Sequence, residues 1–212
     1  MVTSAQLADW LRKAAAEIAA HRDELTALDA AIGDADHGVN MQRGFQAVLA
    51  RLEASNPVEK DVGAICKEAG LALVSSVGGA SGPLYGTFFL RLGGRLGTRN
   101  EVSAVELAAA FRAGLEGVRQ RGKAEPGEKT MVDALHPAVE ALESALSEGQ
   151  LLRGALRAAE EAARRGTLDT IPLVARKGRA SYLGERSRGH QDPGATSAHL
   201  VLKAAADALG QE

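Results

Sequence analysis

Apolar residues recur every three or four positions along most of the chain, the spacing that gathers them on one face of an α-helix. Leu7, Trp10, Leu11, Ala14 and Ile18 form the first such stripe, behind Thr3 and Ser4 as cap candidates. A short helix over 22–31 follows and ends at Gly33. Phe45, Val48, Leu49 and Leu52 mark the buried side of a helix starting near Gly38. Val62, Ile65, Leu71, Leu73 and Val74 carry the next, stopped by Gly78-Gly79. Leu84, Tyr85, Phe88, Phe89 and Leu92 carry another, closed by Gly93-Gly94 and Gly97.

In the second half, Val105, Leu107, Phe111 and Leu115 predict a helix ending before Arg121-Gly122-Lys123. Val132, Leu135, Val139, Leu142 and Leu146 predict one after Glu125-Pro126-Gly127. An alanine-rich helix over 151–165 stops at Gly166, and 171–174 form a short turn or helix. The last helix runs from about Ala195 to Leu209. No segment sustains the period-two alternation of a half-buried strand, and no Asn-Gly hairpin turn occurs. The pattern predicts an all-α fold, a bundle or barrel of about eight antiparallel helices. No linker divides it, so residues 1–212 are expected to form one domain.

Composition strengthens that picture. Aromatics make up 3% of the chain while alanine and leucine abound, a mixture that favours helix over sheet. Twenty-five basic residues against 27 acidic ones leave a net charge of −2, so no global field points to nucleic acid or an anionic membrane. No apolar run approaches a membrane span and no signal peptide is visible, so the expected location is the cytoplasm. Cys66, the single cysteine, lies in an apolar helical stretch and reads as a buried thiol.

Chemistry concentrates in the loops. The stretch from Asp29 to Phe45 sets three carboxylates, Asp29, Asp34 and Asp36, around Gly33 and before His37-Gly38. Carboxylates this close repel one another and need compensating cations if they are buried. Three hard oxygen donors with no cysteine suit Mg²⁺ better than zinc or copper. A cap for the following helix is the competing reading of Asp34 and Asp36. Gly79-Ala80-Ser81-Gly82 has the form of a glycine turn opening a helix, a site for phosphate, although a close helix crossing explains such glycines as well. No P-loop is present. A third loop, from Arg176 to Gly194, carries Arg176, Lys177, Arg179, Arg186 and Arg188. Arginines suit a bidentate grip on phosphate, and a solvated charged face is the alternative. Together these parts match what a Mg-nucleotide needs. Three carboxylates against two divalent ions leave about one positive charge to receive a polyphosphate.

Four segments carry a resemblance to a known family. They are Ile-Gly-Asp-Ala-Asp-His-Gly from Ile32, Ser-Val-Gly-Gly-Ala-Ser-Gly-Pro-Leu-Tyr-Gly-Thr-Phe-Phe from Ser76, Arg-Gly-Lys-Ala-Glu-Pro-Gly-Glu-Lys-Thr-Met from Arg121, and the run from Gly178 to Ser197. In this order they resemble the L subunit of phosphoenolpyruvate-dependent dihydroxyacetone kinases. The resemblance implies a barrel of eight antiparallel helices that holds ADP or ATP and two Mg²⁺ at one end. By motif position, Asp29, Asp34 and Asp36 would be the metal ligands. His37, Gly38, Val39 and Asn40, with Ala80 and Ser81, would line the phosphate and ribose side. Gly122, Met131, Arg179, Asp192, Pro193 and Gly194 would complete the nucleotide site.

The resemblance also implies partners. A phosphohistidine M subunit would rephosphorylate the retained nucleotide, and a K subunit would hold dihydroxyacetone. Single-chain ATP-dependent relatives usually read Gly-Asp-Gly-Asp-His-Gly, whereas this chain has Ala35 at the middle position. That difference and the lack of a K-like half favour the three-subunit system. A stand-alone subunit exchanging free ATP, or a nucleotide sensor docking on a transcriptional regulator, would share the same site. No residue is expected to act as a general acid or base.

Overall fold

A computed structural model of the chain describes residues 1–54 and 60–210. Nine α-helices occur among them: α1 (Ser4–Ala20), α2 (Arg22–Ile32), α3 (His37–Ala54), α4 (Val62–Ser76), α5 (Ser81–Leu96), α6 (Ala104–Gly122), α7 (Val132–Ser147), α8 (Leu152–Asp169) and α9 (Pro193–Leu209). A 3-10 segment, Arg179–Ser187, lies between the last two. Eight of the helices close a ring. α1 packs on α3, and each of α3 to α8 packs on its successor until α9 returns to α1. The extra helix, α2, sits against α3, α9 and the 3-10 segment.

Caps follow from the sequence. Thr3 and Gln6 form a capping box on α1, and Ser103 and Glu106 form one on α6. Asp61 caps α4, accepting from the Ala64 amide at 2.6 Å. Asp192 caps α9 directly before Pro193, a residue suited to the first helical turn.

Two features of the ring explain how so few aromatics fill it. Trp10, Phe88, Phe89 and Phe111 form one aromatic cluster, with Trp10 5.3 Å from Phe89 and 5.4 Å from Phe111 between centroids. The Trp10 indole N–H donates to the Val201 carbonyl at 2.9 Å and so ties α1 to α9. Elsewhere glycine lets backbones touch. A Cβ on Gly63 would stand 2.3 Å from the Gly97 carbonyl oxygen, and one on Gly93 2.6 Å from that of Gly63.

Several expectations change for that reason. Gly93-Gly94 do not close α5, which runs on to Leu96, because Gly93 is where α4 crosses it. Gly166 does not stop α8 either, since it seats that helix on the Asp133 carbonyl of α7. Residues 171–174 take up turn and irregular backbone, the first of the two forms expected of them. Leu71, Val74 and Val105, read as buried, are about half or more exposed. One small sheet is new: Val2–Thr3 (β1) pairs antiparallel with Glu101–Val102 (β2), Val2 opposite Val102. No helix among the described residues is long and apolar enough to cross a membrane.

Gly166→Ala tests the crossing. Its methyl would meet the Asp133 oxygen at 2.1 Å, so α7 and α8 must part, at a cost of about 1–3 kcal/mol. The check is the urea unfolding midpoint, and an unchanged midpoint would mean that the two helices do not meet there.

Candidate functional site at one end of the ring

Antiparallel packing brings alternate helix ends to the same place. The N-terminal ends of α3, α5, α7 and α9 and the C-terminal end of α6 line one cavity of about 450 Å³, with the turn after α4 beside them. That volume lies in the range of small-molecule sites. Four N-termini facing one space give it positive dipole ends, and α5 starts with no side-chain cap on its first amides.

The acidic loop forms one rim. Asp29 comes from the last turn of α2 and is buried, its Oδ2 accepting from the Asp36 amide at 2.9 Å and the His37 amide at 3.2 Å. The first amides of α3 are thus capped by Asp29 from across the loop. Gly33 makes this approach possible, because a Cβ there would lie 2.0 Å from Asp29 Oδ1. Ala35 then turns the chain with φ +63°, a conformation costing an alanine roughly 1–2 kcal/mol. Asp34 and Asp36 remain exposed. One oxygen from each of Asp29, Asp34 and Asp36 lies within 4.8 Å of the others. The guanidinium Nε of Arg179 reaches Asp34 Oδ2 at 2.9 Å. This all-carboxylate set fits a hard divalent cation such as Mg²⁺, and the amides on Asp29 orient it as an outer shell does.

Opposite lies the glycine turn. Gly79 has φ +64° and nothing within 4 Å of where a Cβ would stand, so the turn is open towards the cavity at the start of α5. Beneath it, Asn40 lies against Gly78 and accepts from Arg43 at 2.6 Å. His37 is buried between Ser81 Oγ (3.2 Å from Nδ1) and Ser197 Oγ (2.8 Å from Nε2). Burial pushes its pKa down, against the raising effect of Asp29 and Asp36 and of a hydrogen bond to the Pro193 backbone.

A third wall was illegible in the sequence. Lys129 is fully buried in a left-handed conformation (φ +63°). Its ammonium donates to the Thr170 carbonyl at 2.7 Å and also to that of His190. Thr170 Oγ1 accepts from the Asp192 amide at 3.0 Å, and Asp192 Oδ2 accepts from the Ala195 amide at 2.7 Å. Asp133 holds the Lys129 loop from below through the Gly127 and Thr130 amides. One lysine therefore sets the last loop against the loop before α7. Burial pushes its pKa down, with Asp192 and Asp133 opposing. Burial likewise pushes Asp192 up to about 7.

The residues named from the sequence divide cleanly. Asp29, Asp34, Asp36, His37, Ala80, Ser81, Gly122, Met131, Arg179, Asp192, Pro193 and Gly194 all line the cavity. Gly38, Val39 and Asn40 do not. Gly38 sits under α2, where a Cβ would be 2.0 Å from the Arg22 carbonyl oxygen, and Val39 is half exposed. Lys129, Thr130, Leu84 and Tyr85 are lining residues that sequence reasoning missed. Tyr85 and Leu84 read only as core stripe, and nothing in periodicity separates a core residue at a helix start from a cavity wall.

Residues 31–207 match the family model described as the DAK2 domain. The chain belongs to the DAK2 domain family. It is 48% identical over 198 residues to the ADP-binding subunit DhaL of the PEP-dependent dihydroxyacetone kinase of Escherichia coli (strain K12), covering 93% of each chain. With the ADP-binding subunit DhaL of the PTS-dependent dihydroxyacetone kinase of Lactococcus lactis subsp. lactis (strain IL1403), identity is 39% over 96% of each chain. The dihydroxyacetone kinase of C. freundii, crystallised in complex with AMP-PNP and Mg²⁺, superposes with a TM-score of 0.71 at 27% identity. This DAK2 chain aligns over 96% of its own length with 34% of that one, so it matches about a third of the kinase polypeptide.

Asp192 gives the site a pH signature. Its folded pKa stands above the ordinary 3.8, so the folded chain holds the proton more tightly than the unfolded one. Its stabilising contribution is complete below 3.8 and lost as pH rises through about 7. Asp192→Asn keeps a cap-forming side chain and removes the titration. Urea midpoints followed between those two pH values should fall less in this variant than in the parent, whereas parallel curves would show that the carboxyl is not desolvated.

Proposed function

We propose that this chain is the nucleotide-carrying subunit of a multi-subunit, phosphoenolpyruvate-dependent dihydroxyacetone kinase. The observation that carries this reading is the convergence of Asp29, Asp34 and Asp36 within 4.8 Å at the rim of a cavity walled by helix N-termini. The names of its full-length relatives support it, since they are ADP-binding subunits of such kinases. On this reading ADP, or ATP after recharging, stays bound as a coenzyme. A phosphohistidine M subunit returns the phosphoryl group, and a K subunit presents dihydroxyacetone.

Each part of the cavity then has a task. Asp29, Asp34 and Asp36 hold two Mg²⁺, with Asp29 aimed by the two amides it accepts from. The amides opening α5, at Ala80 and Ser81, receive phosphate oxygens, and Arg179 can leave Asp34 for a phosphate at little cost because it is exposed. Gly122 and Met131 wall the base, and Asp192, Pro193 and Gly194 close the far side. Bound Mg-nucleotide supplies the transferable phosphoryl group. The chain's own contribution is positioning and charge neutralisation, which phosphoryl transfer chiefly requires. No side chain here is assigned the role of a base for the acceptor hydroxyl, which belongs to the K partner.

Asp34→Asn removes one carboxylate from the cluster. Mg²⁺-dependent ADP affinity, read by calorimetry, should fall by at least about 10–100-fold, and dihydroxyacetone phosphate formation with K and M should fall with it. Equal affinity in variant and parent would remove the metal assignment. Tight ADP binding by the parent without any dihydroxyacetone phosphate would point to a sensor instead.

A further inference from the structure

The loop over 171–189 leaves α8 and returns towards α9 through a narrow neck. At the neck the Gly189 amide donates to the Ile171 carbonyl at 2.8 Å, and the Asp192 amide to Thr170 Oγ1 at 3.0 Å. Beyond it the loop has little to hold it in shape. It turns on three glycines of positive φ, Gly178, Gly184 and Gly189, which add no stiffness of their own. Along Arg179–Ser187 only Ser187 is buried. A segment with so few buried contacts owes its order to the place where its ends meet.

Lys129 reaches that place from another part of the chain. Its Nζ donates to the Thr170 carbonyl on the outgoing side at 2.7 Å and to the His190 carbonyl on the returning side. The lysine is 1% exposed, so without it both carbonyls would face each other with no donor and no water, an arrangement that buried backbone avoids. Glu128 adds a second grip, its carbonyl accepting from the Arg176 amide at 3.1 Å and its carboxylate standing 3.7 Å from Lys177 Nζ. Lys129 holds φ +63° in doing so, a conformation that persists in a residue with a side chain only where the surroundings over-determine it. From the loop closed in this way, Arg179 extends to Asp34 at the acidic rim.

We infer that Lys129 is a positioning residue: by joining both ends of the 171–189 loop to one nitrogen, it holds Arg179 over the rim of the cavity. It acts through that arginine, from a buried neck. The task of Arg179 towards a phosphate rests on the nucleotide reading above, and the closing of the loop by Lys129 does not.

Two measurements on the full chain decide this. Lys129→Met keeps the stem and removes the donors. Arg176, Arg179, Arg186 and Arg188 are exposed, so brief digestion with trypsin should give the variant a new cut between Arg176 and Arg188 while its helices survive and still unfold cooperatively by circular dichroism. The parent's digestion pattern in the variant would overturn the inference, and so would cuts spread through the helices, which mark a loss of general stability. Lys129→Gly, which relieves the positive φ, serves if Lys129→Met fails to fold. In the second measurement, ADP affinity in the presence of Mg²⁺ should fall about tenfold in Lys129→Met and by a similar factor in Arg179→Gln. The two losses should not multiply in the double variant, since both remove the same contact. Unchanged affinity in Lys129→Met, or its full loss repeated in the Arg179→Gln background, would refute the positioning role. Were the parent chain to bind no ADP at all, the nucleotide reading would fall while the digestion still decided what closes the loop.

Discussion

Crowding of negative charge is the constraint around which this end of the molecule is arranged. Two unit charges 4.8 Å apart, the limit within which the carboxylate oxygens of Asp29, Asp34 and Asp36 lie, repel by about 1 kcal/mol in water and about 3 kcal/mol at a protein surface. The chain meets part of that load itself. Asp29 takes two amides of the loop and Asp34 takes Arg179. Each device has a structural consequence. The amides are available because α3 starts where it does, and the arginine is available because the last loop folds back over α2. A bound divalent cation would complete the same compensation, which is why the donor set and the scaffold argue in one direction.

The ring makes that arrangement affordable. Helices that alternate in direction deliver N-termini to one end at every second position, so positive dipole ends gather where the carboxylates stand. Close crossings at Gly63, Gly93 and Gly166 keep the ring narrow. A core of alanines and few aromatics suffices because the helices approach this nearly. Glycine in these helices is packing material, although its intrinsic preference is to end them.

That double role of glycine explains what the sequence could and could not convey. Helix number and order were legible from the three-to-four periodicity, and the three aspartates from their spacing around Gly33. Helix ends at Gly93 and Gly166 were misread because a breaker and a crossing point look identical in one dimension. Ala35 was noticed as a departure from the glycine usual in single-chain relatives, and its positive φ shows what that glycine would relieve. Exposure of Leu71, Val74 and Val105 could not be foreseen, since periodicity marks a face without saying which neighbour covers it. Lys129 was hidden for another reason. A lysine in a loop reads as solvated, and only the carbonyls of Thr170 and His190, more than 40 residues away in sequence, make it a buried tie.

Charge in the cavity is graded from rim to floor, and the gradient says what kind of recognition each part can perform. Asp34, Asp36 and Arg179 stand exposed at the rim, where charge is tolerated. Four deeper groups are driven towards their uncharged forms by burial: Asp192 and Tyr85 upward in pKa, His37 and Lys129 downward. A polyphosphate therefore finds its charge partners at the rim, and the floor can discriminate only by shape and by the direction of its hydrogen bonds. Tyr85, Ser197, His37 and Ser81 are joined by hydrogen bonds along that floor, which holds its shape without a net charge of its own. On the proposed reading, the contrast between rim and floor places the diphosphate tail over the three aspartates and the uncharged nucleoside in the interior.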